Sequence, residues 1–306
     1  MNPVSSIGVM AVEHRPLDAL DRNLALIEEV GADHAELAAH CLDVIAGGRL
    51  DTGRMARLRE VLDRRALAYT VHAPLVLNLM DEQHAESHRA VARACLDLCA
   101  EMGAGVLVVH PGWLDARQAA SSIDRLMAME RAQFADLAAA AAERDVVLAL
   151  ENMGTVEGLL SGSHTTYALD PGRVAAQIQA VDHPNLRATI DFSHAALAAS
   201  WRGTDLAGSL APLAPWARHL HMHDSFGQPV TLPDAAEGEL LAFGQGDLHL
   251  PLGMGSIDWE GLLPQLPVPS GVSATLEIKP HYAEPDVLAD TVNRARELAG
   301  KMVVAG

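Results

Sequence analysis

The sequence predicts an α/β protein that folds as a single (β/α)8 TIM barrel over residues 1–306. Short β-type runs alternate with longer stretches of helical periodicity, and eight such pairs fit into this length. No Pro-, Gly- or Ser-rich linker divides the chain. An open doubly wound sheet is the main competing architecture, but no Gly-x-Gly-x-x-Gly follows the first strand, which argues against a dinucleotide-binding domain.

The strands are recognised as short runs of apolar and β-branched residues that end at polar residues. They are predicted at Ile7–Ala11, Ala35–Ala39, Leu67–His72, Val106–His110, Val146–Glu151, Arg187–Asp191, His219–His223 and Ala274–Ile278.

The helices are recognised from apolar residues at intervals of three and four, such as Leu20, Leu24 and Ile27, and from a glycine such as Gly103 at the end. They are predicted at Pro16–Val30, Thr52–Arg64, Gln83–Met102, Ser122–Arg144, Pro171–Val181, weakly at Thr204–Leu213, briefly at Asp258–Leu263 and at Glu284–Ala299. Asp170-Pro171-Gly172 is typical of a helix start.

The longest irregular stretch, about 224–257, joins the seventh and eighth strands. Connections of this length inside a domain are usually functional or disordered. Apolar residues such as Leu240, Leu241 and Phe243 are unlike those of a disordered linker. We therefore expect a functional loop.

The composition excludes several classes of protein. The 40 acidic and 22 basic residues give a formal charge of −18, which disfavours binding to nucleic acid or anionic lipid. Three cysteines argue against a disulfide framework, and Cys95 and Cys99 are expected to be buried thiols. Neither a signal peptide nor a run long enough to span a membrane is recognised. A cytoplasmic location is the resulting expectation.

Histidines and carboxylates stand at the ends of six consecutive predicted strands. In a barrel these ends meet at one mouth, where active sites are built. Imidazole and carboxylate ligands suit Zn, Mn or Fe, and a bound cation offsets the repulsion between clustered acids. The candidate ligands, two of them from the long loop, are His72, His110, Glu151, Asp191, His194, His221, Asp247, His249 and Glu277.

Strand seven offers a choice of ligand. His219, His221 and His223 alternate, so they point to the same face and are not all expected to bind one metal. His221 is preferred and His223 is the second choice. Histidines outside strand ends, such as His14 and His34, are expected to be solvated or to cap helices.

These residues resemble the xylose isomerase-like barrel superfamily, which includes endonuclease IV and the sugar isomerases and epimerases. The resemblance runs from about Ile7 to Leu298 and includes the Leu-Gly-x-Gly-x-Ile-Asp-Trp-like segment Leu252–Trp259. In the isomerase branch it implies one divalent metal, with Glu151 and Glu277 also taking part in proton transfer. The residues that would hold this metal are Glu151, Asp191, His221 and Glu277.

The resemblance to endonuclease IV covers more ligands than the resemblance to the isomerases, because all nine metal-ligand positions of endonuclease IV can be filled in this sequence. It implies one metal on His72, His110 and Glu151, and a third on His194, Asp247 and His249. The second would lie on Glu151, Asp191, His221 and Glu277, with Glu151 bridging.

Two departures, together with the charge, argue against DNA as the substrate. Leu75 stands where an aromatic residue is expected, and Met254 where an acidic one is usual.

The preferred hypothesis is a hydrolase of a small phosphoester that uses up to three divalent ions, with Zn favoured over Mn or Fe. The alternative is a one-metal sugar or keto-sugar isomerase or epimerase, and an abasic-site DNA endonuclease ranks lower. The substrate is expected to be phosphorylated or sugar-like, and the sequence is compatible with a homo-oligomer.

Overall fold

Eight parallel strands close into a barrel in the computed structural model, which describes residues 2–155, 157–232 and 235–305. The strands, numbered in chain order, are β1 Val4–Met10, β2 His34–Ala38, β3 Ala68–His72, β4 Val106–Val109, β5 Val147–Glu151, β6 Leu186–Asp191, β7 Ala217–Met222 and β8 Val272–Leu276. Each strand pairs with its neighbours in sequence, and β1 pairs with β8 from Val4 opposite Val272 to Val9 opposite Leu276. The predicted (β/α)8 fold is thus confirmed.

Helices surround the barrel. They are α1 Leu17–Glu29, α2 Thr52–Leu62, α3 Ala85–Met102, α4 Ala116–Ala142, α5 Glu157–Leu160, α6 Pro171–Val181, α7 Phe192–Arg202, α8 Leu206–Leu210, α9 Glu237–Phe243, α10 Trp259–Leu262 and α11 Pro285–Ala299. Apolar residues of the helices, such as Leu24, Leu58 and Leu96, are completely buried. Burial of these apolar faces against the sheet is the main force that holds the helices in place.

Local signals explain where several helices begin and end. α6 begins as predicted, because Asp170 accepts a hydrogen bond from the backbone N–H of Gly172 and Pro171 occupies the first helical position. α3 ends at Gly103, whose φ of 69° is in the left-handed region that glycine tolerates. Cys95 and Cys99 of α3 are buried free thiols, as expected.

The sequence-based prediction was wrong at several places. It missed α7, which begins directly at the end of β6 because Asp191 accepts a hydrogen bond from the backbone N–H of His194. It described the stretch 224–257 as irregular, whereas this stretch contains α9; residues 233 and 234 lie outside the described part. It also expected His14 and His34 at the surface or at caps, and both are buried.

The interior of the barrel is polar where a TIM barrel is usually filled with branched apolar side chains. Glu36, Thr70, His219 and Thr275 are all buried, on β2, β3, β7 and β8. Gly8 of β1 leaves space for the imidazole of His34, because a Cβ atom at this position would lie 2.3 Å from that imidazole. Within the described ranges, no helix is both long enough and apolar enough to cross a membrane.

Candidate metal centre

The structure brings all nine predicted ligands together at the mouth formed by the C-terminal strand ends. Their side-chain atoms form overlapping groups, and Glu151 belongs to two of them. The groups that contain predicted ligands at the mouth are His72–His110–Glu151, Glu151–Asp191–His194, Asp191–His221–Glu277 and His223–His249–Glu277, with Asp247 in contact with His194 and His249. A further group, Glu36–His219–His221, lies deeper in the barrel.

The first group converges on one oxygen of Glu151. The Nδ1 atom of His72 donates to the carbonyl oxygen of Ala73 at 2.8 Å, which leaves the lone pair of Nε2 free. That Nε2 lies 3.4 Å from Oε2 of Glu151, and Nε2 of His110 lies 3.3 Å from the same oxygen. Neither approach has hydrogen-bond geometry, so this buried oxygen has no hydrogen-bond partner. Three ligand atoms that converge without bonding to one another are what a cation site requires.

Another set of contacts surrounds His221, which is completely buried on β7. Its Nδ1 atom lies 3.3 Å from Oε1 of Glu151, 3.5 Å from Oε2 of Glu277 and 3.8 Å from Oδ2 of Asp191. The three carboxylates come from the ends of β5, β8 and β6, so they reach this nitrogen from both sides of β7.

Contacts among His194, Asp247 and His249 join the start of α7 to the loop between β7 and β8. Nε2 of His194 lies 3.2 Å from Oδ2 of Asp247, and Nε2 of His249 lies 2.8 Å from the same oxygen. Both histidines turn Nδ1 toward a backbone carbonyl, that of Asn152 at 3.1 Å and that of Glu277 at 3.0 Å. This contact helps to hold His249, whose φ of 49° is unusual for a residue with a side chain.

Sequence reasoning missed polar residues that belong to this centre. His223 was only the second choice, yet its Nε2 lies 3.0 Å from Oδ2 of Asp191 and its ring stacks on His249 at 4.0 Å. Its Nδ1 is buried without a hydrogen-bond partner. Glu36 was not considered, although a carboxylate inside the apolar strand pattern 35–39 carries the same signal that singled out Glu151 and Glu277.

The electrostatics couple imidazoles to carboxylates. Burial lowers the pKa of His249, but the carboxylates of Asp247 and Glu277 outweigh this effect and raise it to about 9. The pKa of His221 also lies well above its usual range, because Glu277, Glu151 and Glu36 together outweigh burial. Burial raises the pKa of Glu151, but the surrounding imidazoles hold it well below its usual range. Without a cation, histidine protons therefore balance the acids, and a bound cation would replace them.

A divalent metal fits this donor set. The ligands are imidazole nitrogens and carboxylate oxygens, several imidazoles are oriented by backbone carbonyls, and two buried polar atoms lack a partner. The clusters therefore indicate one or more divalent-metal sites.

The segment that carries His110 is held from behind by Glu130 of α4. Its Oε1 accepts a hydrogen bond from the backbone N–H of Gly112 at 2.6 Å, and its Oε2 accepts from Tyr167 Oη and Gln177 Nε2. Burial outweighs these hydrogen bonds and raises the pKa of Glu130 to about 7.

Two cavities open near the mouth. One, of about 430 Å³, adjoins His110 and is mostly apolar. Its lining is Leu75, His110, Pro111, Trp113, Met153, Gly154, Leu159, His164 and Thr166. A larger cavity of about 670 Å³, beside the loop after β2, contains none of the nine predicted ligands. The smaller cavity is therefore the one continuous with the candidate metal centre.

The sequence and the fold were compared with those of known proteins. The sequence profile described as xylose isomerase-like TIM barrel matches residues 24–298. No curated protein sequence gives a significant match.

Solved structures share the fold at low sequence identity. A D-tagatose 3-epimerase-like protein is 17% identical, with a TM-score of 0.71 and coverage of 97% of both chains. D-psicose 3-epimerase is 14% identical, with a TM-score of 0.68 over 97% of this chain and 100% of that one. A xylose isomerase-like TIM barrel protein from Mycobacterium smegmatis, in complex with magnesium, is 17% identical, with a TM-score of 0.65 over 97% of this chain and 96% of that one.

Proposed function

Because this chain belongs to the xylose isomerase-like TIM barrel family, we propose that it is a metal-dependent isomerase or epimerase of a sugar or keto sugar. The observation that carries the proposal is the pair of carboxylates on either side of His221. Glu151 and Glu277 both come within 3.5 Å of its Nδ1, from strands that are separated by β6 and β7. Two buried carboxylates on opposite sides of one point suit the transfer of a proton on a single carbon.

Glu151, Asp191, His221 and Glu277 would hold the metal in this proposal. The ion would act as a Lewis acid that polarises the carbonyl and hydroxyl oxygens of the sugar. Other polar groups at the mouth, among them those of His194, Asp247 and His249, would bind sugar hydroxyls.

The two glutamates supply the proton chemistry. The carboxylate of one takes the proton from the carbon next to the carbonyl, the C–H electron pair forms a carbon–carbon double bond, and the carbonyl π pair moves onto its oxygen to give an enediolate. The other glutamate, protonated, returns a proton to the opposite face, which inverts the configuration and leaves that glutamate ionised. The surroundings of Glu151 hold its pKa well below the usual range, so it is ionised before the substrate reacts and is able to accept the proton.

The solved structures of similar fold support the choice of substrate class. Two of them are a D-tagatose 3-epimerase-like protein and D-psicose 3-epimerase, proteins whose names refer to ketohexoses. We therefore place ketoses first among the substrates to test.

A hydrolase of small phosphoesters is the second candidate, and one specific observation favours it. His72, His110, His194, Asp247 and His249 supply more potential ligands than one metal needs. In a multinuclear site these residues would hold further ions, which serve phosphoester hydrolysis by activating water and neutralising phosphate charge.

One experiment separates the two candidates. Protein loaded with Mn²⁺ is incubated in D₂O with D-fructose, D-tagatose and D-psicose, and NMR follows deuterium at the carbon next to the carbonyl together with the epimer or aldose formed. A parallel assay follows p-nitrophenol release from bis(p-nitrophenyl) phosphate.

The proposal predicts deuterium in product from the unaltered protein and none from Glu151→Gln or Glu277→Gln. Asp136→Asn, on the exposed face of α4, is the matched control and should react normally. Release of p-nitrophenol without deuterium exchange would instead establish the hydrolase.

A further inference from the structure

Glu36 is a fully buried carboxylate that lies beneath the candidate metal centre, inside the barrel. An isolated charge is strongly unfavourable in the interior of a protein, so a buried carboxylate needs donors on both oxygens. The role of Glu36 follows from which donors it has.

Four donors surround its two oxygens. Thr70 Oγ1 donates to Oε2 at 2.7 Å, His219 Nε2 lies 2.9 Å from the same oxygen, and Thr275 Oγ1 lies 3.3 Å away. On the other oxygen, Oε1, Nε2 of His221 lies at 3.1 Å. These partners can all donate, so the arrangement suits an ionised carboxylate that only accepts.

This arrangement sets the orientation of His221. Because Oε1 of Glu36 can only accept, Nε2 of His221 must carry the proton. Nδ1 is also hydrogen-bonded to a carboxylate, Oε1 of Glu151 at 3.3 Å, so it carries a proton until a cation replaces that proton. The lone pair that this exchange makes available is on Nδ1, the atom that faces Glu151, Asp191 and Glu277. The same contact opposes a flip of the ring, since the flipped ring would present Cε1 instead of the Nε2–H group to Glu36 and this hydrogen bond would be lost.

We propose that Glu36 is a positioning residue that holds His221 in its metal-binding tautomer and strengthens it as a donor. The inference rests on the proposed function, because it requires that His221 binds the metal. A carboxylate hydrogen-bonded to the far nitrogen of a ligating imidazole increases the basicity of that imidazole, and loss of such a partner weakens metal binding by about 10- to 100-fold.

A competing interpretation is that Glu36, His219 and His221 themselves hold an ion, since their ligand atoms lie close together. The contacts favour hydrogen bonding instead. Both imidazoles are at ordinary hydrogen-bond distance from Glu36, and Nδ1 of His219 is engaged by Ser273 Oγ at 2.7 Å.

The test compares the affinity for Mn²⁺ of the unaltered protein and of Glu36→Gln, by competition with a fluorescent chelator. Glutamine keeps the shape and can still accept from His221, so the change removes mainly the charge. We expect binding about 10- to 100-fold weaker. Thr70→Val is the matched control, because it removes a donor from Oε2 of Glu36 and leaves the contact of Oε1 with His221 intact.

Unchanged affinity in Glu36→Gln, or equal weakening in Thr70→Val, would refute the positioning role. Failure of the unaltered protein to bind any metal would instead refute the metal site of the proposed function. Loss of one bound ion per chain in His219→Gln would show that Glu36 belongs to a second metal site.

If Glu36→Gln does not fold, the unaltered protein still tests the inference. In protein loaded with ¹¹³Cd and labelled with ¹⁵N-histidine, we expect cadmium coupling at Nδ1 of His221 and a retained proton at Nε2. The His221 signals are identified by their absence in His221→Asn. Coupling at Nε2 would overturn the inference.

Discussion

Nε2 of His194 lies 3.2 Å from Oδ2 of Asp247, although 53 residues separate the two in the chain. Asp247 also accepts a hydrogen bond from Ser193 Oγ at 3.1 Å. These contacts tie the loop between β7 and β8 to the start of α7, so the loop supplies polar groups to the barrel mouth.

This contact leads to a prediction about Asp247. In the proposed epimerase, Asp247→Asn should leave the affinity for the first metal unchanged and raise the KM for the ketose about tenfold, the effect of losing one charged hydrogen bond. The measurements are metal content, chelator competition and steady-state kinetics. The control is Glu237→Gln, which changes an exposed residue of the same connection that forms an ion pair with Lys279. A drop of one bound ion per chain in Asp247→Asn would favour the multinuclear hydrolase.

The metal-free protein should lose stability at alkaline pH. The pKa of His249 is raised to about 9 in the folded chain, against about 6.5 when unfolded. The contribution of His249 to the free energy of unfolding is therefore complete below pH 6.5 and is lost as the pH rises through about 9. The shift in pKa corresponds to about 3 kcal/mol. Denaturant unfolding at a series of pH values measures the effect. His249→Gln should flatten the decline, and an equally steep decline in that variant would contradict this assignment.

Glu130 should contribute to stability through the segment that carries His110. Glu130→Ala would leave the Gly112 N–H and the Tyr167 hydroxyl without their acceptor and would remove one of the two acceptors of the Gln177 amide. Because buried donors without partners are costly, we expect the free energy of unfolding to fall by about 3 kcal/mol. Asp136→Ala, on the exposed face of the same helix, should change it little. Equal effects in urea unfolding would refute this role for Glu130.

The apolar cavity next to His110 should contribute to substrate binding. Trp113 lines this cavity and is 41% exposed, and its ring lies 4.8 Å from that of His164. Trp113→Ala should raise the KM several-fold and leave kcat largely unchanged, because the tryptophan lines the cavity and is not one of the groups proposed to transfer the proton. Trp201→Ala removes another exposed tryptophan, one that lies outside the cavity lining, and is the control. Unchanged KM in Trp113→Ala would show that the substrate does not enter the cavity.

The barrel was predictable from the sequence because its signals are local. Strand runs end at polar residues, and amphipathic helices such as Leu17–Glu29 end near glycines. The helix Phe192–Arg202 escaped prediction because Asp191 is both a candidate metal ligand and the residue that starts the helix, so no turn separates it from β6.

The polar mouth was predictable for a similar reason. In a parallel barrel every C-terminal strand end points to one side, so His72, Glu151 and Glu277 had to meet once the fold was recognised. Strand alternation likewise placed His219, His221 and His223 on one face. These inferences need only the order of the strands.

The tertiary structure alone decided which atoms face each other. The pairing of Glu36 with His221 joins residues 185 positions apart and depends on the closure and register of the barrel. Likewise, the backbone carbonyls that orient His72 and His249 depend on the path of each loop. Sequence periodicity determines the face of the strand on which a side chain lies. The neighbour of that side chain across the barrel is determined only when the sheet closes, and this neighbour decides which imidazole nitrogen is free to bind a cation.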